Sequence, residues 1–205
     1  MKLGFLASHG GSNMQAIIDA CKSGELKATP AVIISNNANS GAMERAKRES
    51  IPHFHLSGKT HPSPEQLDQA MLDTLLSHQV DIVILAGYMK KLGEQTLSHY
   101  AGAILNIHPA LLPKFGGQGM YGIRVHEAVL AAGERETGVT IHLVTEEYDT
   151  GAIISQETVP VIQGDTPQSL QARVLNTEHA AFKRVLQKIG TGELTIPGYK
   201  SPSSY

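Results

Sequence analysis

The sequence predicts an α/β fold: a Rossmann-like, mostly parallel sheet flanked by helices on both faces, with an antiparallel β-hairpin and a long helix in the C-terminal third. Three observations carry this expectation. Short apolar runs without polar alternation recur between helical stretches, as expected of strands buried on both faces. A glycine-rich turn follows the first of these runs and opens a helix. In the last third, two β-rich segments lie a short loop apart and so pair antiparallel.

Taken in order, the buried strands are expected at Leu3 to Ala7, Pro30 to Ser35, Asp81 to Ala86 and Ala103 to Ile107. Helices are expected at Met14 to Lys22 and Met43 to Ser50, and around the stripe Leu67, Met71, Leu72, Leu75 and Leu76, which recurs at helical spacing. Gly138 to Thr145 and Ile153 to Val161 form the hairpin, and Pro167 to Ile189 the closing helix. Residues 1–190 therefore read as a single domain and 191–205 as a tail, loosest over Ser201-Pro202-Ser203-Ser204-Tyr205.

Composition narrows the function. The 205 residues are 41% hydrophobic and 18% charged, which fits a globular chain. Seventeen basic against 19 acidic residues leave a formal charge of −2, which removes the usual electrostatic argument for a nucleic-acid or membrane partner. The single Cys21 cannot form an internal disulfide and fits a reducing compartment. No apolar run approaches the ~20 residues of a spanning helix, so a cytoplasmic protein is expected.

Ser8-His9-Gly10-Gly11-Ser12-Asn13 follows the first strand. Free amides at a helix start, backed by the positive end of the helix dipole, bind phosphate, and glycine lets the backbone approach the anion. The third glycine of a dinucleotide fingerprint and the lysine of a Walker loop are both missing, so a monophosphate fits best. A plain strand-to-helix turn, with Ser12 and Gln15 as a capping box, is the alternative.

Asn106-Ile107-His108-Pro109 ends a buried strand at the edge where open α/β sheets hold ligands. Alternation turns Asn106 and His108 to one face, where an amide and an imidazolium can together hold a carbonyl oxygen. A carboxylate nearby would raise the pKa of His108, and the loop Glu146-Glu147-Tyr148-Asp149-Thr150-Gly151 offers several. On the next strand His142 can face the same cleft. In the closing helix Glu178 falls between Val174 and Phe182 on the apolar stripe, so it either faces a ligand cleft or pairs with a buried cation. His53 and His55 share a strand face, but no further ligand lies at a metal-site spacing, and no metal is expected.

Gly10-Gly11-Ser12-Asn13, Ser35-Asn36, Leu85-Ala86-Gly87-Tyr88-Met89, Asn106-Ile107-His108-Pro109-Ala110-Leu111-Leu112-Pro113 and the stretch from Gly138 to Gly151 together resemble the phosphoribosylglycinamide formyltransferase family. The resemblance covers residues 1 to about 190. It implies transfer of a formyl group from 10-formyltetrahydrofolate to the amine of glycinamide ribonucleotide, with small-molecule partners only and a monomer or weak homodimer. Residues 1–100 would form the phosphate-binding half and 101–190 the catalytic and folate-binding half. The resemblance implies that Gly11, Ser12 and Asn13 hold the phosphate, that Asn106, His108 and Asp149 are catalytic, and that Glu178 contacts the glycinamide. Leu85, Met89, Lys90, Lys91 and Leu92, with Asn106, Thr145, Glu146, Glu147, Tyr148 and Asp149, would line the folate site. Pro64 stands where some relatives carry an arginine near the folate tail. The glycine-rich Phe115 to Gly122 suggests a lid.

Overall fold

The computed structural model describes residues 1–200; the expected loose tail at 201–205 lies outside the described residues. Its elements are β1 (Lys2–Ala7), α1 (Ser12–Ser23), β2 (Thr29–Ser35), α2 (Gly41–Arg48), β3 (His53–His55), α3 (Pro64–Ser77), β4 (Ile82–Leu85), α4 (Glu94–His99), β5 (Ile104–His108), α5 (Ile123–Ala131), β6 (Glu136–Leu143), β7 (Ile153–Pro160) and α6 (Pro167–Thr191). One seven-stranded sheet runs in the order β3-β2-β1-β4-β5-β6-β7. The first five strands are parallel, and β6 and β7 are antiparallel. The chain moves outward one way from β1 to β3 and then returns to β4 on the other side of β1. That reversal opens a crevice beyond the carboxyl ends of β1 and β4, where such sheets hold ligands.

Alternation along the strands feeds two cores. Leu3, Phe5, Ile33, Ile84, Leu105 and Ile107 pack on the face covered by α1 and α6. Leu6, Val32, Ile34, Val83 and Ile104 pack on the other face with Met71 and Leu75 of α3. Of the expected α3 stripe, Leu76 lies outside the core and is 42% exposed.

Two expectations need correction, and two helices were not expected. α1 starts at Ser12 with Gly11 as its N-cap in the left-handed conformation (φ 69°), so the Ser12–Gln15 capping box does not form. Gln15 instead turns its amide to Asp19 and Glu49 and accepts from Arg48. Second, the tail does not begin at 191. α6 ends at Thr191 with Gly192 as its C-cap, after which Ile196 is buried and the Gly198 amide donates to the Gly102 carbonyl. Apolar side chains at 194 and 196 give this segment a reason to pack. The unexpected helices, α4 and α5, interrupt stretches with little helical patterning. α4 is capped from a distance, its Gln95 and Thr96 amides donating to the carboxylate of Asp68 on α3.

Candidate active site

The crevice is a cleft of about 830 Å³ bordered by the start of α1, the end of β5, the 117–122 segment and α6. Local chemistry explains each wall. At α1, Gly11 takes a positive φ and no side chain caps the helix, whereas Ser40, Ser63 and Thr166 cap α2, α3 and α6. The first-turn amides of α1 thus lack intrahelical acceptors and remain open to an anion. α2 braces the turn: Ala42 donates to the His9 carbonyl and Arg45 Nε to the Gly10 carbonyl. The turn after β4 is pinned to β1 by the Met89 amide, which donates to Ser8 Oγ at 2.8 Å.

At the end of β5, Asn106, His108 and Asp149 converge. His108 Nδ1 lies 3.5 Å from Asp149 Oδ2, and Asn106 Nδ2 lies 3.5 Å from Asp149 Oδ1. His142, opposite Asn106 across the β5–β6 pair, brings Nε2 to 3.1 Å from Asn106 Nδ2 and 3.4 Å from Asp149 Oδ1. Asp149 sits at φ 57° and also accepts from the Gly117 amide at 2.9 Å. Burial works to raise its pKa, but His142, the nearby His108 and the Gly117 amide overcome this and hold it below the usual carboxylate range.

His108 behaves differently from the sequence expectation. Burial lowers its pKa and outweighs the opposing pull of Asp149 and of the Phe115 carbonyl. Only 4% of the residue is exposed, so desolvation of the cation dominates even with a carboxylate beside it. Its Nε2–H donates to the Phe115 carbonyl at 2.7 Å. The glycine-rich segment therefore rests on both the imidazole and the carboxylate.

Glu178 faces the cleft and is 7% exposed. Its partner is no cation: Asn13 Nδ2 of α1 donates to Oε2 at 2.9 Å. Burial pushes the Glu178 carboxyl up to about 7, with the Asn13 hydrogen bond pulling the other way.

The family model described as formyl transferase matches residues 1–186. The chain belongs to the formyl transferase family. Among formyl transferases, it is 39% identical over 196 residues to phosphoribosylglycinamide formyltransferase of Escherichia coli K12, covering 96% of this chain and 90% of that protein. It is 42% identical over 189 residues to the chloroplastic phosphoribosylglycinamide formyltransferase of Vigna unguiculata, covering 92% of this chain but only 60% of that longer protein. The crystal structure of glycinamide ribonucleotide transformylase 1 from Symbiobacterium toebii superposes with a TM-score of 0.88 at 37% identity, covering 97% of this chain and 91% of that one.

Within this formyl transferase most of the remaining residues border two further spaces. Leu85, Lys90, Lys91 and Leu92 meet Thr145, Glu146, Glu147, Tyr148, Asn106 and Asp149 around a cavity of about 60 Å³. Lys91 narrows its mouth, lying 3.3 Å from Glu147 and 5.3 Å from the Tyr148 ring centre. Met89 lines the 830 Å³ cleft instead. A second open space of about 910 Å³ lies beyond, bordered by Lys59, Pro64, Lys90 and Lys91. Tyr88 borders all three.

Several contributors were not legible as site residues. Ser8 pins the Met89 turn. Thr140 accepts from the Leu112 amide and donates to the Ala110 carbonyl, fixing the chain just after His108. His126 of α5 lines the cleft at 1% exposure, its pKa lowered by burial to about 4. Cys21 is no nucleophile candidate, because burial pushes its thiol up to about 11. Among the described residues, no group of three or more His, Cys, Asp or Glu side chains is arranged to hold a metal ion, and no helix is long and apolar enough to cross a membrane.

Proposed function

We propose that this chain transfers the formyl group of 10-formyltetrahydrofolate to the amino group of glycinamide ribonucleotide, giving N-formylglycinamide ribonucleotide and tetrahydrofolate in purine (IMP) biosynthesis. One observation carries the reading: a single cleft runs from the uncapped start of α1 to the Asn106–His108–Asp149 cluster and past Glu178. An acceptor with a phosphate at one end and an amine at the other matches that layout.

In this reading Gly11, Ser12 and Asn13 hold the phosphate and Glu178 holds the glycinamide end. The pterin approaches from the Leu85–Tyr148 side, over Met89 and between Lys90 to Leu92 and Thr145 to Asp149. The small cavity there is a pterin site that opens as the Lys91–Glu147 contact yields. The glutamate tail extends toward the space bordered by Lys59 and Pro64, where lysine ammonium groups suit its carboxylates.

The chemistry assigned to the cluster follows from its donors. One Asn106 N–H is spent on His142, and the other turns from Asp149 Oδ1, 3.5 Å away, to the formyl oxygen as it gains negative charge. The His108 Nε2–H reaches the same oxygen once the Phe115 carbonyl is displaced from it. A preorganised donor of this kind contributes on the order of 3 kcal/mol in acyl chemistry. Asp149 orients the imidazole and favours its protonated form as charge develops. No covalent enzyme intermediate is needed. The single cysteine accords with a reducing compartment such as the cytoplasm.

The test is to mix purified protein with 10-formyltetrahydrofolate, with and without glycinamide ribonucleotide, and follow tetrahydrofolate. Release that depends on the amine is expected. Release without acceptor would make the protein a hydrolase, and retention of both compounds without turnover would make it a sensor.

A further inference from the structure

An oxyanion donor built from an asparagine needs something to fix which way its amide faces. The two ends of the Asn106 amide are nearly equal in size, so a half-turn would present a carbonyl to the formyl oxygen in place of an N–H. Asp149 Oδ1, 3.5 Å from Nδ2, favours the N–H orientation in the resting cleft. That help ends when the N–H turns to the formyl oxygen. Among the described residues the remaining partner of Nδ2 is His142, whose Nε2 lies 3.1 Å away.

The fold decides what His142 can offer. Asn106 and His142 stand opposite each other on β5 and β6. Just before His142 the β6–β7 register shifts, so that Ile141 faces Ser155 and His142 faces Ile153. A bulge of this kind re-aims a side chain. The histidine is 2% exposed, and its Nδ1 lies 2.8 Å from the Leu143 carbonyl. A carbonyl oxygen only accepts, so Nδ1 carries a hydrogen, and in the neutral ring the other nitrogen is then a bare acceptor. Nε2 therefore accepts from Asn106, whereas donation to Asp149 Oδ1, 3.4 Å away, belongs to the charged ring. The backbone around that carbonyl is itself fixed. The Leu143 amide donates to the Ala152 carbonyl at 2.9 Å, and a Cβ on Gly151 would collide with the Leu143 carbonyl, so only glycine lets the loop pass this close.

We propose that neutral His142 is a positioning residue for formyl transfer: its Nε2 lone pair holds one N–H of Asn106 and thereby aims the other at the developing oxyanion. This rests on the formyl-transfer reading above and gives the histidine a part which that reading leaves empty. No proton passes through His142 in this role. Its hydrogen stays on Nδ1 throughout, and its bond to Asn106 is present before and after the transfer. Control runs from the bulge in β6 through the Leu143 carbonyl and the imidazole to the amide.

Two independent measurements test this. In nitrogen-15 NMR spectra of the full-length protein near neutral pH, His142 should show a protonated Nδ1 and a bare Nε2. A protonated Nε2 overturns the proposal whatever the activity. The second measurement is a double-mutant cycle on kcat with Asn106→Ala. His142→Phe keeps a ring without an acceptor and should lower kcat by ~10²-fold, with KM for both substrates within about threefold, as when an oxyanion donor is lost. In the Asn106→Ala background the same change should cost less than about twofold, because no amide is left to aim. His142→Gln, whose Oε1 can accept the Asn106 N–H, should recover roughly tenfold of the loss. Equal losses in both backgrounds, with wild type active, overturn His142's role alone, since a structural defect acts with or without Asn106. If His142→Phe does not fold, the NMR measurement decides. Wild-type protein that releases no tetrahydrofolate in the presence of acceptor overturns the formyl-transfer reading, and this inference with it.

Discussion

The two ends of the cleft are built from different material. At the α1 end the recognition groups are backbone amides, presented by Gly11 in a left-handed conformation and left free because no side chain caps the helix. At the β5 end they are side chains, held in place by one another: Asp149 alone touches His108, His142, Asn106 and Gly117. A backbone cradle binds charge with little dependence on which side chains surround it. A side-chain cluster can move protons, but each member depends on the rest. The difference teaches where the chain tolerates change and where acid should hurt it.

The largest expected effect is at the β5 end. His108→Ala should lower turnover by ~10²-fold or more while the chain still folds, since it removes the imidazole donor from the cleft wall. Near-normal formyl transfer by that variant would break the contrast at its stronger end. Asp149→Asn comes next. Asparagine tolerates the φ of 57°, so the loop should keep its course while the charge is lost. The carboxylate is what opposes burial at His108, so the imidazole pKa should fall further, which an NMR titration reads directly. A rise would overturn the assignment.

At the α1 end, Gly11→Ala should act on binding. Its φ is 69° and a Cβ would stand 3.1 Å from Ala42 Cβ. KM for the ribonucleotide should rise by about tenfold with kcat little altered. A fall in kcat alone would mean that the cradle takes part in catalysis. Stability should respond to acid through His126 of α5. His126 is neutral when folded, with a pKa near 4, whereas an unfolded histidine protonates near pH 6.5. The unfolded state therefore gains protons first as pH falls from about 6.5 to about 4, and stability is lost across that window. Thermal unfolding of His126→Leu should show a flatter slope there. Smallest of all, Ser12→Ala keeps the amide and should change KM by no more than about threefold.

How much of this was legible in sequence follows the same division. Strands β1, β2, β4 and β5 announce themselves because both of their faces are buried, which leaves continuous apolar runs. Glu178 was legible as an anomaly, since a carboxylate on an apolar stripe demands a reason, but its neutral partner Asn13 lies 165 residues away in sequence. α4 was not legible because its cap, Asp68, comes from another helix. The protonation of His108 is not legible for a related reason: a carboxylate can be read from a loop, whereas the depth of burial that outweighs it is a property of the assembled fold. The Phe115 carbonyl on the imidazole has no side-chain signal at all.

The segment after α6 has a mechanical consequence. Gly198 donates to the carbonyl of Gly102, and Ile196 is buried, so the end of the described chain grips the root of β5, the strand that finishes in Asn106 and His108. Deuterium uptake at the amides of residues 103–108 should therefore speed up when the chain is cut after Thr191. Loosening the strand at its foot would be felt at its tip, where an error of an ångström separates a working oxyanion donor from an idle one.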